Sequence, residues 1–249
     1  MPQKRAPLLY RVLHAVLPAL LNALYRPSVT GLENVPAEGP AILASNHLST
    51  LDVVFMPARI PRPVYYLAKS EYFSGPAKHL FKNLGVIPIA RHGGEAGEES
   101  LRRGEEVLAS GSLLGIYPEG TRSPDGRLHR GKTGPVRLAL RTGAPIVPVA
   151  IRGTFGIMPP GSKLPRIRQV EVAYGKPMDF SHYARRSEDH FALRSATDEL
   201  MYELMMMSGQ EYVDEYAAAV KAGDSPSAAP LGDLDGLIEE DPFDIPKVS

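Results

Sequence analysis

The chain has 249 residues, 43% apolar and 22% charged, enough for one large domain or two small ones and unlike a fibrous or wholly disordered polymer. It contains no cysteine, which excludes disulfides, thiolate nucleophiles and cysteine-rich zinc sites together and suits a reducing compartment. The zero net charge combines −6 over residues 223–249 with +6 over the first 222, so anionic lipid, phosphorylated ligands and nucleic acid are all candidate partners.

Residues 1–27 are expected to form an amphipathic helix at a membrane interface. Arg11, His14, Pro18 and Asn22 fall at steps of three, four and four, on one helical stripe, while Leu9, Leu13, Leu17, Leu20 and Leu24 cover much of the rest. Residues 1–32 carry Lys4, Arg5, Arg11 and Arg26 and no acid, which suits a helix lying in an anionic lipid surface. Those interruptions make a poor spanning helix, and no small-residue cleavage site follows for a secretory signal. The alternative is a helix packed on its own domain, with Pro18 kinking or dividing it.

From residue 28, short runs rich in branched apolar residues begin near 41 (AILAS), 64 (VYYLA), 85 (GVIPIA), 112 (SLLGIY), 145 (PIVPVAI) and 169 (QVEVAYG). Helical patterns lie near 50–59, 76–84, 95–109 and 135–142, the last with Pro135 at a natural first-turn position, and a longer one spans 187–220. The alternation predicts an α/β fold: a single domain over 28–222, with a mostly parallel mixed sheet flanked by helices. From residue 223 the chain turns to Ser, Pro, Ala, Gly and acids, the composition of a disordered acidic tail.

The first strand runs into a polar knot, ILASNHLSTLDVVF, at the carboxyl end where α/β sheets hold ligands. Ser49 and Asp52 have the spacing of a capping box, which gives the acid a structural alternative. The following blocks supply Gly85, Ile89 and Arg91, then Glu119, Gly120, Thr121 and Arg122, then Pro148. In this order they resemble the glycerolipid acyltransferases, in particular the bacterial 1-acylglycerol-3-phosphate (lysophosphatidate) acyltransferases, over roughly residues 28–180. The pattern N-H-x-x-x-x-D falls on Asn46, His47 and Asp52; G-x-x-x-I-x-R on 85–91; E-G-T-R on 119–122; and apolar-Pro-apolar on 147–149. Pro88 stands where an aromatic residue is common, and LHRGKTG replaces a Phe-Lys-x-Gly pattern.

The resemblance implies transfer of a fatty acyl group from acyl-CoA or acyl-carrier-protein to the free hydroxyl of lysophosphatidate, in phospholipid biosynthesis. Acyl transfer to a hydroxyl needs a base near neutral pH, and His47 is the side chain suited to it, with Asp52 fixing its tautomer. With no cysteine and no G-x-S-x-G, direct transfer is expected. Arg91 and Arg122 can grip a phosphomonoester bidentately, and the resemblance adds Asn46, Gly120 and Thr121 to the substrate-binding set. Glu119 has three candidate roles: orienting Arg122, capping the turn at Gly120, or touching the acceptor glycerol. Pro148 is expected at a strand edge or bulge beside the acyl pocket.

The sequence GRLHRGKT, residues 126–133, also satisfies the spacing of a phosphate-binding P-loop. It follows a turn, RSPD, instead of a buried strand, and no apolar strand ending in Asp accompanies it. The seven histidines are scattered without H-E-x-x-H, so no metal or cofactor is expected, and the absence of tryptophan and of aromatic-basic interleaving argues against nucleic acid. Acyl transfer to another lysophospholipid and a noncatalytic lipid-binding protein are the remaining alternatives. The expected location is peripheral, on the cytoplasmic face of the cell membrane.

Overall fold

Why two loops 70 residues apart share one site follows from strand order. A computed structural model describes residues 23–69, 86–89, 96–157 and 166–223. The expected amino-terminal helix up to residue 22, the helix at 76–84, Gly85, Arg91 and the acidic tail from 224 lie outside the described residues.

The elements are β1 (Ser28–Thr30), β2 (Ala41–Ser45), α1 (Asp52–Phe55), β3 (Val64–Lys69), β4 (Val86–Ile89), α2 (Ala96–Ala109), β5 (Leu113–Ile116), β6 (Leu128–His129), α3 (Gly134–Thr142), β7 (Ile146–Arg152), α4 (Thr154–Ile157), β8 (Glu171–Tyr174), α5 (His190–Ser208), β9 (Tyr212–Val213) and α6 (Ala217–Ala222). Seven strands form one sheet in the order β1-β8-β7-β2-β5-β3-β4, and β6 and β9 form a separate ladder. Every neighbouring pair in the large sheet is parallel except β7 with β8. The fold is the α/β domain with a mostly parallel mixed sheet that the alternation of runs predicts.

β2 lies in the middle and is buried on both faces, which explains its uninterrupted apolar run. Ala41 and Leu43 join the cluster of Phe55, Met56, Ile60, Val149, Ile151 and Tyr174 on one face. Ile42 and Ala44 join Leu114, Val136, Leu138, Leu200 and Leu204 on the other, so the two-residue period of the strand divides the core in two. Tyr25 packs edge-on against Phe55 with ring centroids 5.4 Å apart.

Three expectations are corrected. The helix foreseen at 50–59 ends at Phe55, before Pro57, and its turns give way to Pro61 and Pro63. The helix foreseen at 187–220 is broken after Ser208, where Gly209 takes a left-handed φ of 70°, and resumes only at Ala217. Between the breaks, Leu128 and His129 pair with Tyr212 and Val213, a short ladder invisible as a sequence run. Pro148 stands at no edge: β7 lies between β8 and β2, and Pro148 O accepts from Gly175 N at 2.8 Å just past the Val149–Tyr174 pair. Proline cannot return a second bond there, and antiparallel pairing resumes only at Ile146 and Met178, one residue out of register. The edge half of the expectation therefore fails, while Pro148 does lie beside a bulge.

Gly115 of β5 shows how tightly the site's underside is packed. A Cβ there would fall 2.3 Å from Cε1 of the buried Tyr66 ring. Gly115→Ala is therefore expected to destabilise the domain by about 1–3 kcal/mol through overpacking, read as a lowered urea midpoint at unchanged slope.

Candidate active site

Parallel pairing of Ala44 with Ile116 makes the chain leave β2 and β5 at the same edge. One loop then carries Asn46, His47 and Thr50, and the other carries Tyr117, Glu119, Thr121 and Arg122. β7 borders the first loop: Asn46 Oδ1 accepts from Ile151 N and Asn46 Nδ2 donates to Ile151 O, both at 2.8 Å. The fully buried amide thus replaces a strand residue and prolongs the ladder.

His47 Nδ1 lies 2.9 Å from Oδ2 of Asp52, which is wholly buried, while the His47 side chain keeps 15% of its surface. The same Oδ2 accepts from Leu48 N at 2.7 Å and Ser49 N at 2.8 Å. The bond from Ser49 is the acid's half of a capping box, but Ser49 Oγ accepts from Leu51 N at 3.3 Å and the N-cap is Leu51. The box is thus only half made, and one oxygen holds both the loop amides and the imidazole. Three donors on a carboxylate oxygen offset the cost of burying its charge.

The second loop holds the His47 peptide at both ends. His47 N donates to Glu119 Oε2 at 2.9 Å, and His47 O accepts from Ser123 N at 2.7 Å. Glu119 Oε1 accepts from His129 N at 3.0 Å. Glu119 is 1% exposed, so the expected contacts with Arg122 or acceptor glycerol meet a carboxylate already engaged by two backbone amides. Burial pushes its pKa up to about 7 against the pull of those amides. The turn that aims it needs Gly120, whose φ is 72° and whose N–H donates to Tyr117 O at 2.9 Å.

The Tyr117 ring stacks on His47, centroids 3.9 Å apart and 15° from parallel. Burial raises the Tyr117 phenol well above its ordinary pKa, which keeps it neutral beside the imidazole. Arg122 Nη1 donates to Thr50 Oγ1 at 3.0 Å, bringing the guanidinium to the loop that bears His47. Thr121 Oγ1 accepts from Lys221 Nζ at 2.9 Å. Pro148 lies within the buried sheet opposite Ala44.

The structure thus brings Asn46, His47, Asp52, Glu119, Gly120, Thr121 and Arg122 together, with Asn46 and Glu119 in the scaffold. Sequence reasoning missed Tyr117, Ser123 and Gln210, whose Oε1 accepts from Asn46 Nδ2 at 2.7 Å. Only Tyr117 left a signal: an aromatic residue directly after the β5 run and two before Glu119.

The P-loop spacing at 126–133 has no cradle. Leu128 N donates to Glu211 O, Arg130 N to Glu215 O and Lys132 N to Pro118 O, so amides that would face a phosphate serve the fold. Among the described residues no cluster of His, Asp and Glu could hold a metal, and no helix is long and apolar enough to cross a membrane.

The profile of the family described as Acyltransferase matches residues 26–152. A chloroplastic 1-acyl-sn-glycerol-3-phosphate acyltransferase BAT2 of Brassica napus is 35% identical over 141 residues, 56% of this chain and 41% of that protein. The 1-acyl-sn-glycerol-3-phosphate acyltransferase of Bacillus subtilis strain 168 is 29% identical over 202 residues, 79% of this chain and 96% of its own. The crystal structure of the 1-acyl-sn-glycerophosphate acyltransferase PlsC from Thermotoga maritima superposes with a TM-score of 0.64 at 25% identity, over 80% of this chain and 79% of that one. The chain spans about two-fifths of the length of the plant relative and nearly all of the Bacillus one.

Glu119 generates a pH test. A carboxyl whose folded pKa is raised binds its proton more tightly when folded, so its contribution is fully present below about 4.5 and is lost as pH rises through about 7. Glu119→Gln, which imitates the protonated form, should lack this dependence. Unfolding of both proteins across that window should show the parent losing on the order of 3 kcal/mol relative to the variant.

Proposed function

The chain belongs to the acyltransferase family, and from that premise we propose that it moves a fatty acyl group from a thioester donor, acyl-CoA or acyl-carrier-protein, to the free hydroxyl of lysophosphatidate, giving phosphatidate. The observation that carries this reading is the His47–Asp52 pair, 2.9 Å apart, on the same short loop that receives the Arg122 guanidinium at Thr50. A base and a phosphate-gripping cation are the two groups that a phosphorylated alcohol requires.

In the proposed reaction Asp52 holds the His47 proton on Nδ1, leaving Nε2 to take the acceptor's hydroxyl proton. The freed oxygen attacks the thioester carbonyl carbon and a tetrahedral oxyanion forms. The carbon–sulfur bond then breaks, and His47 returns its proton to the leaving thiolate. Imidazolium formed in the first step is stabilised by the buried Asp52 charge beside it. Tyr117 covers one face of the ring, and Glu119 and Ser123 fix its backbone, so the ring meets the acceptor in one orientation.

Arg122 binds the acceptor phosphate, and Arg91 is a second anchor; Thr121 and Gly120 shape the turn that presents Arg122. Asn46, Glu119 and Pro148 support this site from the scaffold. The noncatalytic lipid-binding alternative accounts for the Leu48 and Ser49 amides held by Asp52 but not for the partly exposed imidazole held on the same oxygen. Residues 1–27 serve as the interfacial helix, residues 28–222 as the acyltransferase domain and residues 223–249 as an acidic tail, with the protein held peripherally at the cytoplasmic face of the cell membrane.

Assays of purified protein with several lysophospholipids and both donor types test the reading. His47→Ala should lower turnover by roughly a hundredfold to ten-thousandfold in a folded protein, and Asp52→Asn should share the defect. Near-normal turnover by a folded His47→Ala protein would exclude this mechanism. Arg122→Ala should raise KM for lysophosphatidate, and Arg122→Lys should rescue it only in part, because an ammonium lacks the guanidinium fork.

The membrane assignment has its own check. Removing residues 1–22, which keeps the Tyr25–Phe55 contact, should reduce sedimentation with anionic vesicles and leave thermal unfolding nearly unchanged. Unchanged sedimentation would instead favour the helix packed on its own domain.

A further inference from the structure

The stretch from Gly209 to Gly223 lies beyond the matched family segment yet meets the site twice. At one end Gln210 Oε1 accepts from Asn46 Nδ2 at 2.7 Å, and Gln210 Nε2 donates to Gly126 O at 2.6 Å. Asn46 precedes His47, and Gly126 N donates to the Oγ of Ser123, whose own amide holds His47 O. Gln210 therefore ties together both sides of the His47 peptide.

The middle of the stretch runs along the second loop. Leu128 N donates to Glu211 O at 2.9 Å, Leu128 and His129 pair with β9, and Arg130 N donates to Glu215 O at 3.0 Å. At the far end, in the last turn of α6, Lys221 Nζ donates to Thr121 Oγ1 and to the carbonyl of Arg122. Lys221 is exposed, and an exposed bond of this kind contributes little to the stability of a domain. What it can do is fix the Thr121–Arg122 peptide and place a second positive charge beside it.

We propose that residues 209–223 are a strap that positions the acceptor site, with Gln210 the positioning residue for the His47 side and Lys221 the positioning and specificity-determining residue for the Arg122 side. This deepens the reading of Arg122 as the acceptor's phosphate anchor, and rests on it. The two ends have different kinetic consequences. Loosening Lys221 weakens the grip on a phosphorylated acceptor before and during reaction alike, which is an effect on KM. Loosening Gln210 disturbs the base, whose geometry matters in the transition state, which is an effect on kcat.

The test uses the full chain in two measurements: initial rates with lysophosphatidate and acyl-CoA, and hydrogen exchange of the amides over residues 119–133. Lys221→Met should raise KM for lysophosphatidate roughly three- to tenfold, the effect of one net hydrogen bond, with kcat within about twofold and the melting temperature unchanged. Lys221→Arg, which keeps the charge and donors, should restore most of the loss. Gln210→Leu should lower kcat severalfold at nearly constant KM, and both variants should speed exchange over 119–133. Unchanged exchange in both variants overturns the strap, as does a common fall of kcat and melting temperature, which would mark mere support of the fold. Should the parent protein fail to acylate lysophosphatidate, the functional reading falls, and exchange alone then decides for or against the strap.

Discussion

A single carboxylate oxygen, Oδ2 of Asp52, is the constraint around which the site is built. It has no exposed surface and takes three donors, the imidazole Nδ1 of His47 and the amides of Leu48 and Ser49. A buried charge tolerates neither loss of its donors nor their displacement, so the loop from 47 to 52 has essentially one shape available. That shape sets the plane of the imidazole, and Tyr117 fills the face it presents. The acid also starts α1, so the short helix and the His47–Asp52 pair share one origin in the chain.

The sheet supplies the second half of the arrangement. Because β2 and β5 are parallel neighbours, their outgoing loops leave together, and backbone amides of one loop can reach a side chain of the other. Glu119 exploits this by bridging His47 N and His129 N from a fully buried position. Its burial sets its carboxyl near the middle of the working pH range, a cost accepted where two segments without regular pairing must be joined. Asn46 performs the same service toward β7, and Gln210 carries it on to the end of α5. Asn46, Glu119 and Gln210 thus hold backbone at this strand end, while the His47 side chain keeps part of its surface.

Much of this was legible in the sequence, for identifiable reasons. β2, β5 and β7 announce themselves as continuous apolar runs because they are covered on both faces, and α3 is marked by Pro135. His47 and Asp52 are five residues apart with a capping signature between them, a local relation that spacing can encode. Long-range backbone partners cannot be encoded that way. Nothing near Glu119 says that it accepts from residue 47, so the sequence left its role open among Arg122, the turn at Gly120 and the acceptor glycerol. The break at Gly209 was equally hidden, since a lone glycine is tolerated within helices and the decisive pairing partner, β6, lies about 80 residues earlier. Pro148 was legible as a bulge residue but not as an interior one, because only the register of β8 shows that pairing breaks beside it and resumes at Ile146 and Met178.

The central claim is direct acyl transfer by a His–Asp base with no covalent carrier on the protein. The measurement that bears on it most directly is mass spectrometry of the intact protein and of its lipids during turnover with acyl-CoA and lysophosphatidate. Phosphatidate should accumulate while the protein keeps its unmodified mass at every time point. An acyl adduct on the protein that forms and decays at the rate of turnover, or a complete lack of phosphatidate with a folded protein, would contradict it.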